Sequence, residues 1–258
     1  MNKWKVVELT SENLGKYPLG CIKSPKHIGY KGKTPWFHEM REKGLIMLIL
    51  LDEDEKPQGF LEMMPGKHTW RAVKAEAFMV IHCLWVISKK VQGQGAGQFM
   101  LKEAEKRIGK DHAGIAVVTS DTSFIASSEV FKKQDYKKSD DKGVYELYYK
   151  LLNNKKATEV ENPSFNHFKP EGYKGLNMLY ALQCPMEIKW KEDIEQFCSE
   201  NNIDIHMKCI ESPEEAQRNP NPLGTFALIY NDEIIEDHPV SLGRFKNIVK
   251  KDLKLMPK

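Results

Sequence analysis

The sequence predicts a mixed α/β (α+β) protein built in two successive parts, and three observations carry that expectation. Short apolar, β-branched runs alternate with segments of helical spacing up to residue 152. A polar stretch with two prolines, "NNKKATEVENPSFNHFKPEG", then interrupts the pattern. A shorter alternation begins afresh at about Tyr173. The expected boundaries are 1–152 for the first part, 153–172 for a linker or surface wrap, and 173–258 for a smaller α/β part.

In the first part, "KWKVVELT" reads as a strand and "PWFHEMREKG" as a short helix that begins at Pro35. "LIMLILLDEDEKPQGFLEMM" gives two strands joined by a charged turn from Asp52 to Pro57. "AFMVIHCLWVI" is a longer strand that runs directly into "KKVQGQGAGQFML", where three glycines stand at alternate positions. Phe99, Met100, Ala104 and Ile108 then recur at helical spacing, with Gly109 as a stop. "AGIAVVTS" reads as a strand, "TSFIASSEVFKKQ" as a helix and "YELYYKLL" as the strand that closes the part.

The second part starts with the strand "LNMLYALQ" and the helix "PMEIKWKEDIEQFCSENN", in which Ile188 or Trp190, Ile194, Phe197 and Cys198 share a face. "IDIHMKCI" is a further strand. "TFALIY" and "EIIEDH" flank the turn-prone pair Asn231-Asp232, the clearest hairpin of the chain. "SLGRFKNIVKKDL" closes with a helix capped by Ser241.

Composition excludes several classes. At 41% hydrophobic and 29% charged, the chain has the make-up of a soluble globular protein. The formal charge of +3, a small difference between 39 basic and 36 acidic side chains, supplies no global field for nucleic acid. The longest apolar run, Leu45 to Leu51, is too short to span a bilayer, so no membrane partner is expected. The start "MNKWKVVELT" has no apolar secretion segment, which places the protein in the cytoplasm. Five scattered cysteines without a C-x-x-C pair argue against a disulfide framework and against a zinc site, so no metal is expected. Composition leaves the oligomeric state open.

The glycine stretch is where chemistry is expected. Glycine in a loop costs conformational entropy, so a dense set indicates backbone N–H groups that approach something closely, with phosphate the usual guest. A dinucleotide fingerprint would need glycine where Gln98 stands, and a nucleoside-triphosphate loop would need Gly-Lys-Ser/Thr, which is absent. What survives is Gln92-x-x-Gly95-x-Gly97, between a strand and a helix. In that setting Gly93, Gln94, Gly95, Ala96 and Gly97 offer successive N–H groups, backed by about half a positive charge at the helix N-terminus.

This arrangement resembles the acyl-CoA pyrophosphate loop of the GNAT N-acyltransferase superfamily. The likeness extends from about Trp4 to Tyr149 and includes "SSEVFKKQDY", similar to the helix and turn before that fold's last strands. The resemblance implies an acetyl-CoA-dependent N-acetyltransferase in which a neutral amine attacks the thioester directly. It implies that Leu84, Trp85 and Val86 pair with the pantetheine arm, and that a backbone N–H of that segment faces the oxyanion.

An amine base and a thiolate acid are also needed. Where the family places a glutamate stand Met79, Val80 and Ile81. His82 is the imidazole in that run, read either as the base or as a hydrogen-bonded structural histidine; Glu76 and Glu62 are the alternative bases. At the place of the family's tyrosine acid stands Phe131, which has no proton to give, so water, Ser127, Ser128 or the incoming ammonium remain as donors. The acceptor is expected to be a small-molecule or peptide amine, approaching from the side of "YPLGCIKSPKHIGYKGKTPWF".

From Tyr173 onward the chain resembles the YoaP-like domain, a thioredoxin-like module found behind GNAT domains, with "TFALIYNDEIIEDHPVSLGRF" carrying most of the likeness. Cys184-Pro185-Met186-Glu187 lies where thioredoxins place their reactive pair, with Glu187 in place of the second cysteine. A helix N-terminus there would lower the Cys184 thiol pKa. Two readings follow: a thiol or redox protein with a CoA-sensing first part, or a degenerate module that packs against the enzyme or shapes its acceptor site. A non-catalytic acyl-CoA-binding protein is a third. Pro222 is a candidate for the cis-proline of such folds.

Overall fold

The computed structural model describes residues 4–89, 91–122, 124–153 and 160–255. The first part contains β1 (Lys5–Glu8), α1 (Ile28–Glu42), β2 (Ile46–Leu51), β3 (Pro57–Pro65), β4 (Val73–Lys74), β5 (Phe78–Val86), α2 (Ala96–Glu105), β6 (Gly114–Thr119), α3 (Glu129–Lys132), β7 (Lys137–Lys142) and β8 (Tyr145–Leu151). A short β9 (Ser164–Phe165) follows. The second part contains β10 (Leu176–Ala181), α4 (Pro185–Glu200), β11 (Ile205–Ile210), α5 (Pro213–Gln217), β12 (Ala227–Tyr230), β13 (Glu233–Glu236) and α6 (Leu242–Asn247).

Seven strands form one mixed sheet in the order β1-β2-β3-β5-β6-β8-β7, in which only β5 and β6 run parallel. The second sheet has the order β11-β10-β12-β13, with β10 and β11 parallel and the remaining pairs antiparallel. The Asn231-Asp232 hairpin joins β12 to β13, both turn residues having positive φ, +47° and +65°, as a tight right-twisted hairpin requires. Ser241 caps α6 by accepting the Arg244 N–H.

Helix α1 starts seven residues before the expected Pro35. His27 caps it, its Nδ1 accepting the Gly29 N–H at 3.0 Å, and Pro35 sits inside the helix. Tyr30, Lys33, Phe37 and Met40 are spaced three or four apart and form its buried stripe, which places a lysine among apolar neighbours. The helix expected over "TSFIASSEVFKKQ", of which residue 123 lies outside the described residues, shrinks to Glu129–Lys132, and Phe124, Ile125 and Ala126 line the site instead. Strand β7, "KKSDDK", lacks apolar alternation because it is the edge of the sheet and faces solvent.

The two parts share a core. Phe78, Val80, Ala116, Tyr145 and Leu147 pack in one cluster with Met178, Ile194, Phe197, Leu228 and Phe245. Helices α1 and α4 meet at Gly29, where a Cβ would lie 2.0 Å from the Pro185 carbonyl oxygen, so only glycine permits that approach. Tyr145 donates to the Asp237 carbonyl at 2.6 Å, and the Ala72 N–H donates to the Pro222 carbonyl at 3.2 Å. Of the expected linker, residues 154–159 lie outside the described residues. Phe165 of the remainder is buried, and β9 pairs with β4. Among the described residues no peptide bond is cis, Pro222 included. No helix among them is long and apolar enough to cross a membrane.

Candidate active site

The glycine loop folds into a left-handed turn ahead of α2. Gly93 and Gly95 have φ of +74° and +83°, a region that other residues enter only under strain. Gly95 is the N-cap and no side chain caps the helix, so the first-turn N–H groups of α2 have no intrahelical acceptor. They open on a trough of about 350 Å³ whose floor includes Gln92, Gly93, Gly95, Ala96 and Gly97 and whose far wall holds Glu129 and Lys133. A Cβ at Gly93 would meet nothing within 4 Å, and one at Gly95 only the Gln98 side chain at 3.7 Å. The Gln92 side chain donates to the Val86 carbonyl at 3.0 Å, which ties the loop to the end of β5.

Strand β5 carries a bulge at His82: Glu62 faces Cys83 and Met63 faces Ile81, which leaves His82 as the extra residue. Pairing of β5 with β6 stops at Ile81–Val117, so beyond the bulge the two strands splay apart. The segment Leu84–Val86 thus keeps an unpaired edge on that side. Leu84 and Ala126 line both the trough and a second cavity of about 500 Å³, so the two spaces meet on the splayed end of β5.

That second cavity lies between the two parts of the chain, and its wall holds a buried ionisable cluster. Glu62 is fully buried; it pairs with Lys33 through Oε2 and accepts hydrogen bonds through Oε1 from Gln183 at 2.6 Å and His82 Nδ1 at 3.3 Å. Burial opposes its ionisation, but the Lys33 ammonium and then His82 outweigh burial and hold its carboxyl down at about 2. Nε2 of His82 accepts the Trp70 N–H at 3.1 Å, so the ring proton sits on Nδ1 and points to Glu62. Burial, opposed by the hydrogen bond to Glu62, lowers His82 to about 4.

Glu187 enters from the second part. Its carboxyl accepts the Ala181 N–H at 3.1 Å and the Thr225 hydroxyl at 3.1 Å, without a cation at ion-pair distance among the described residues. Burial pushes it up to about 8. The guanidinium of Arg71 also lines the cavity, held by backbone carbonyls. Phe124 and Trp190, one from each part, meet edge-on with ring centroids 5.5 Å apart at its wall.

The structure brings Leu84, Trp85, His82 and Cys184 to this cavity, and Leu84, Val86, Gln92, Gly93, Gly95, Ala96 and Gly97 to the trough. It does not bring Glu76, which is exposed in the turn ahead of β5 and lines neither space. Phe131 is fully buried against Tyr136 in the core and lines neither space, and Ser127 is exposed with its hydroxyl accepting the Glu129 N–H at 3.3 Å. Cys184 is the N-cap of α4, but its thiol is pushed well up rather than down, by burial first and then by Glu187 and Cys21 nearby. The helix terminus does not prevail over desolvation there. Sequence reading passed over Lys33, Arg71, Gln183 and Glu187 as site residues; the signal for Lys33 is a lysine at an apolar position of the α1 stripe. Among the described residues no group of three or more His, Cys, Asp or Glu is placed to hold a metal ion.

No family model matches the sequence. The chain is similar to a Bacillus subtilis (strain 168) protein described as "Uncharacterized N-acetyltransferase YoaP", 22% identical over 254 residues that cover 94% of this chain and 97% of that one. Among solved structures, it is similar to the GNAT family N-acetyltransferase YhbS from Escherichia coli in complex with CoA, at 11% identity and a TM-score of 0.41 over 64% of this chain and 91% of that one. An acetyltransferase from Thermus thermophilus is similar at 14% identity and a TM-score of 0.43, over 58% of this chain and 97% of that one. The sequence likeness to the Bacillus protein runs through both parts of the chain, and the proteins this chain is similar to are described as acetyltransferases.

Proposed function

We propose that the protein is an N-acetyltransferase that carries an acetyl group from acetyl-CoA to an amine. The observation that carries this reading is the junction at Leu84 and Ala126: a glycine cradle at a helix N-terminus opens onto a buried ionisable cavity across the splayed end of one strand. The cradle fits a diphosphate, since no side chain caps the helix and Gly93 and Gly95 leave the space clear. Leu84–Val86 offers main-chain groups to the pantetheine arm and to the thioester oxygen.

Within the cavity two carboxyls are driven apart by their surroundings, the pattern that separates catalytic roles. Glu62 stays ionised but locked to Lys33, and His82 spends its lone pair on the Trp70 N–H. That leaves His82 as a positioning residue for Glu62 rather than the base. Glu187 lines the cavity without an ion-pair partner among the described residues, and burial raises its carboxyl to about 8, so in its ionised fraction it is the carboxylate left to take the proton. As the amine nitrogen bonds to the carbonyl carbon and the C–S bond breaks onto sulfur, one proton passes from nitrogen to the carboxylate of Glu187 and on to the thiolate.

The second part carries the strand order of a thioredoxin-like module, which supports that reading of residues 173–258. Its lone cavity thiol, raised by burial, favours a wall of the acceptor site over disulfide chemistry. Calorimetric titration with CoA tests the cradle. Gly97→Asp places a carboxylate at the first turn of α2, where it suits the helix but repels phosphate. Its affinity should fall by about 100-fold or more, two such repulsions or lost contacts at about 1.4 kcal/mol per tenfold. Equal binding by the wild type and this variant, or absence of free CoA release from acetyl-CoA over a broad amine panel, defeats the proposal.

A further inference from the structure

Of the two cations lining the cavity, only one has an ion-pair partner among the described residues. Lys33 pairs with Glu62, while Glu187, beyond ion-pair distance of either cation, accepts from a backbone N–H and a hydroxyl. Arg71 is left over. It is only 3% exposed, its Nη1 donates to the carbonyls of Leu223 at 2.9 Å and Trp70 at 3.4 Å, and its Nη2 donates to the His82 carbonyl. Nε meets no acceptor, and no carboxylate lies within ion-pair distance of the guanidinium among the described residues. A buried guanidinium whose hydrogen bonds all go to neutral carbonyls, with Glu62 and Glu187 acting on it only from beyond ion-pair distance, is costly to desolvate, and a closer opposite charge is what offsets that cost. The three carbonyls come from the turn before β4, the bulge of β5 and the second part. They fix the fork in one orientation, as a preformed receptor for a planar anion would need.

We infer that the acceptor is an amine that also bears a carboxylate, on a single apolar body, and that Arg71 recognises that carboxylate. This rests on the transferase reading for the word acceptor, though not for the binding itself. The rest of the cavity fits such a molecule. Phe60, Trp85, Phe124, Met186 and Trp190 give it apolar and aromatic walls, and about 500 Å³ suits a small ligand rather than a folded protein surface. A polyamine fits poorly, because its further ammonium groups would face Lys33 and Arg71, and Glu62 is already paired with Lys33. The diphosphate does not account for Arg71, since the cradle lies in the other space, whose lining does not include it.

The test uses the full chain and matched compounds that differ only at the carboxylate: phenylalanine, leucine and methionine, their amides, and the corresponding decarboxylated amines. Two readouts are taken: kcat/KM from free CoA release with acetyl-CoA, and calorimetric affinity of the N-acetyl acids against the N-acetyl amides in the presence of CoA. The acids should be preferred by about tenfold or more in at least one set, the size expected of a hydrogen bond to a charged group. Arg71→Lys should shrink the preference and Arg71→Met should abolish it. Should these variants fail to fold, the wild-type compound series decides alone. Absence of preference for the acids in all three sets, by turnover and by binding, overturns the inference. Selective binding of the acids without any CoA release defeats the transferase reading and leaves the carboxylate site standing; CoA release from all amines alike does the reverse.

Discussion

Gln183 donates a 2.6 Å hydrogen bond to Oε1 of Glu62 across 121 residues of sequence, and both side chains are buried. The bond joins the loop after β10 to the centre of β3, so the second part of the chain helps to hold the carboxylate that the first part buries. Replacing Gln183 by leucine removes a donor from a charged acceptor in a dry site. Chemical denaturation should show a loss of about 1.5–3 kcal/mol, and an unchanged midpoint would mean that the bond contributes nothing to folding.

The Lys33–Glu62 pair makes stability depend on acid. The ordinary value of Glu62 is 4.5 and the folded one is about 2, so its contribution is complete above 4.5 and is lost as pH falls toward 2. Glu62→Gln at pH 7 leaves a buried ammonium unpaired and should cost about 3–5 kcal/mol. The double variant Lys33→Met/Glu62→Leu should recover most of that loss and flatten the acid limb of stability between pH 4.5 and 2. A double variant as unstable as the single one would show that the pair is not the unit that matters.

His82 has a spectroscopic signature. With Nε2 accepting the Trp70 N–H, the neutral ring carries its proton on Nδ1, and its pKa is lowered from 6.5 to about 4. Its share of stability is therefore complete above 6.5 and declines as pH falls through about 4. Long-range proton–nitrogen spectra should show an unprotonated Nε2 down to about pH 5. A ring that titrates near 6.5, or that carries its proton on Nε2, contradicts the geometry and would return His82 to the role of base.

The glycine cradle was legible because phosphate binding is written locally: the strand, Gln92, Gly95, Gly97 and the helix follow one another in the chain. The hairpin around Asn231-Asp232 was legible for the same reason, since two consecutive residues with positive φ narrow the choice of side chain. Of the ionisable cluster only His82 and Glu62 stood out. Lys33, Arg71 and Glu187 come from α1, a turn and α4, and each alone resembles a solvated surface charge. Burial turns them into a site, and burial here depends on a core shared between the two parts. Cys184 shows the converse: the local rule for a thiol at a helix N-terminus points down, and the tertiary environment pushes it up.

Glu187 offers a prediction in which catalysis and stability move in opposite directions. The groups that face it are the Ala181 N–H, Thr225, Arg71 and Lys33, with Cys184 beside it; all but Cys184 favour its ionised form, and burial still prevails. The folded carboxyl is raised from 4.5 to about 8, so the folded state holds a proton that the unfolded chain has released, and stability falls as pH rises across that interval. Glu187→Gln removes this slope while keeping the shape, so the variant should melt higher relative to the wild type at about pH 8.5 than at about pH 5. The same substitution should lower kcat by about 100-fold or more, the scale of a lost proton-transfer group, and erase a limb of the pH–rate profile centred near 8. CoA affinity should be unchanged, because the cradle lies in the other space. A variant that keeps both its rate and the limb near pH 8 would show that the proton moves through another group; one that loses rate and stability together at all pH values would reduce Glu187 to a structural part of the wall.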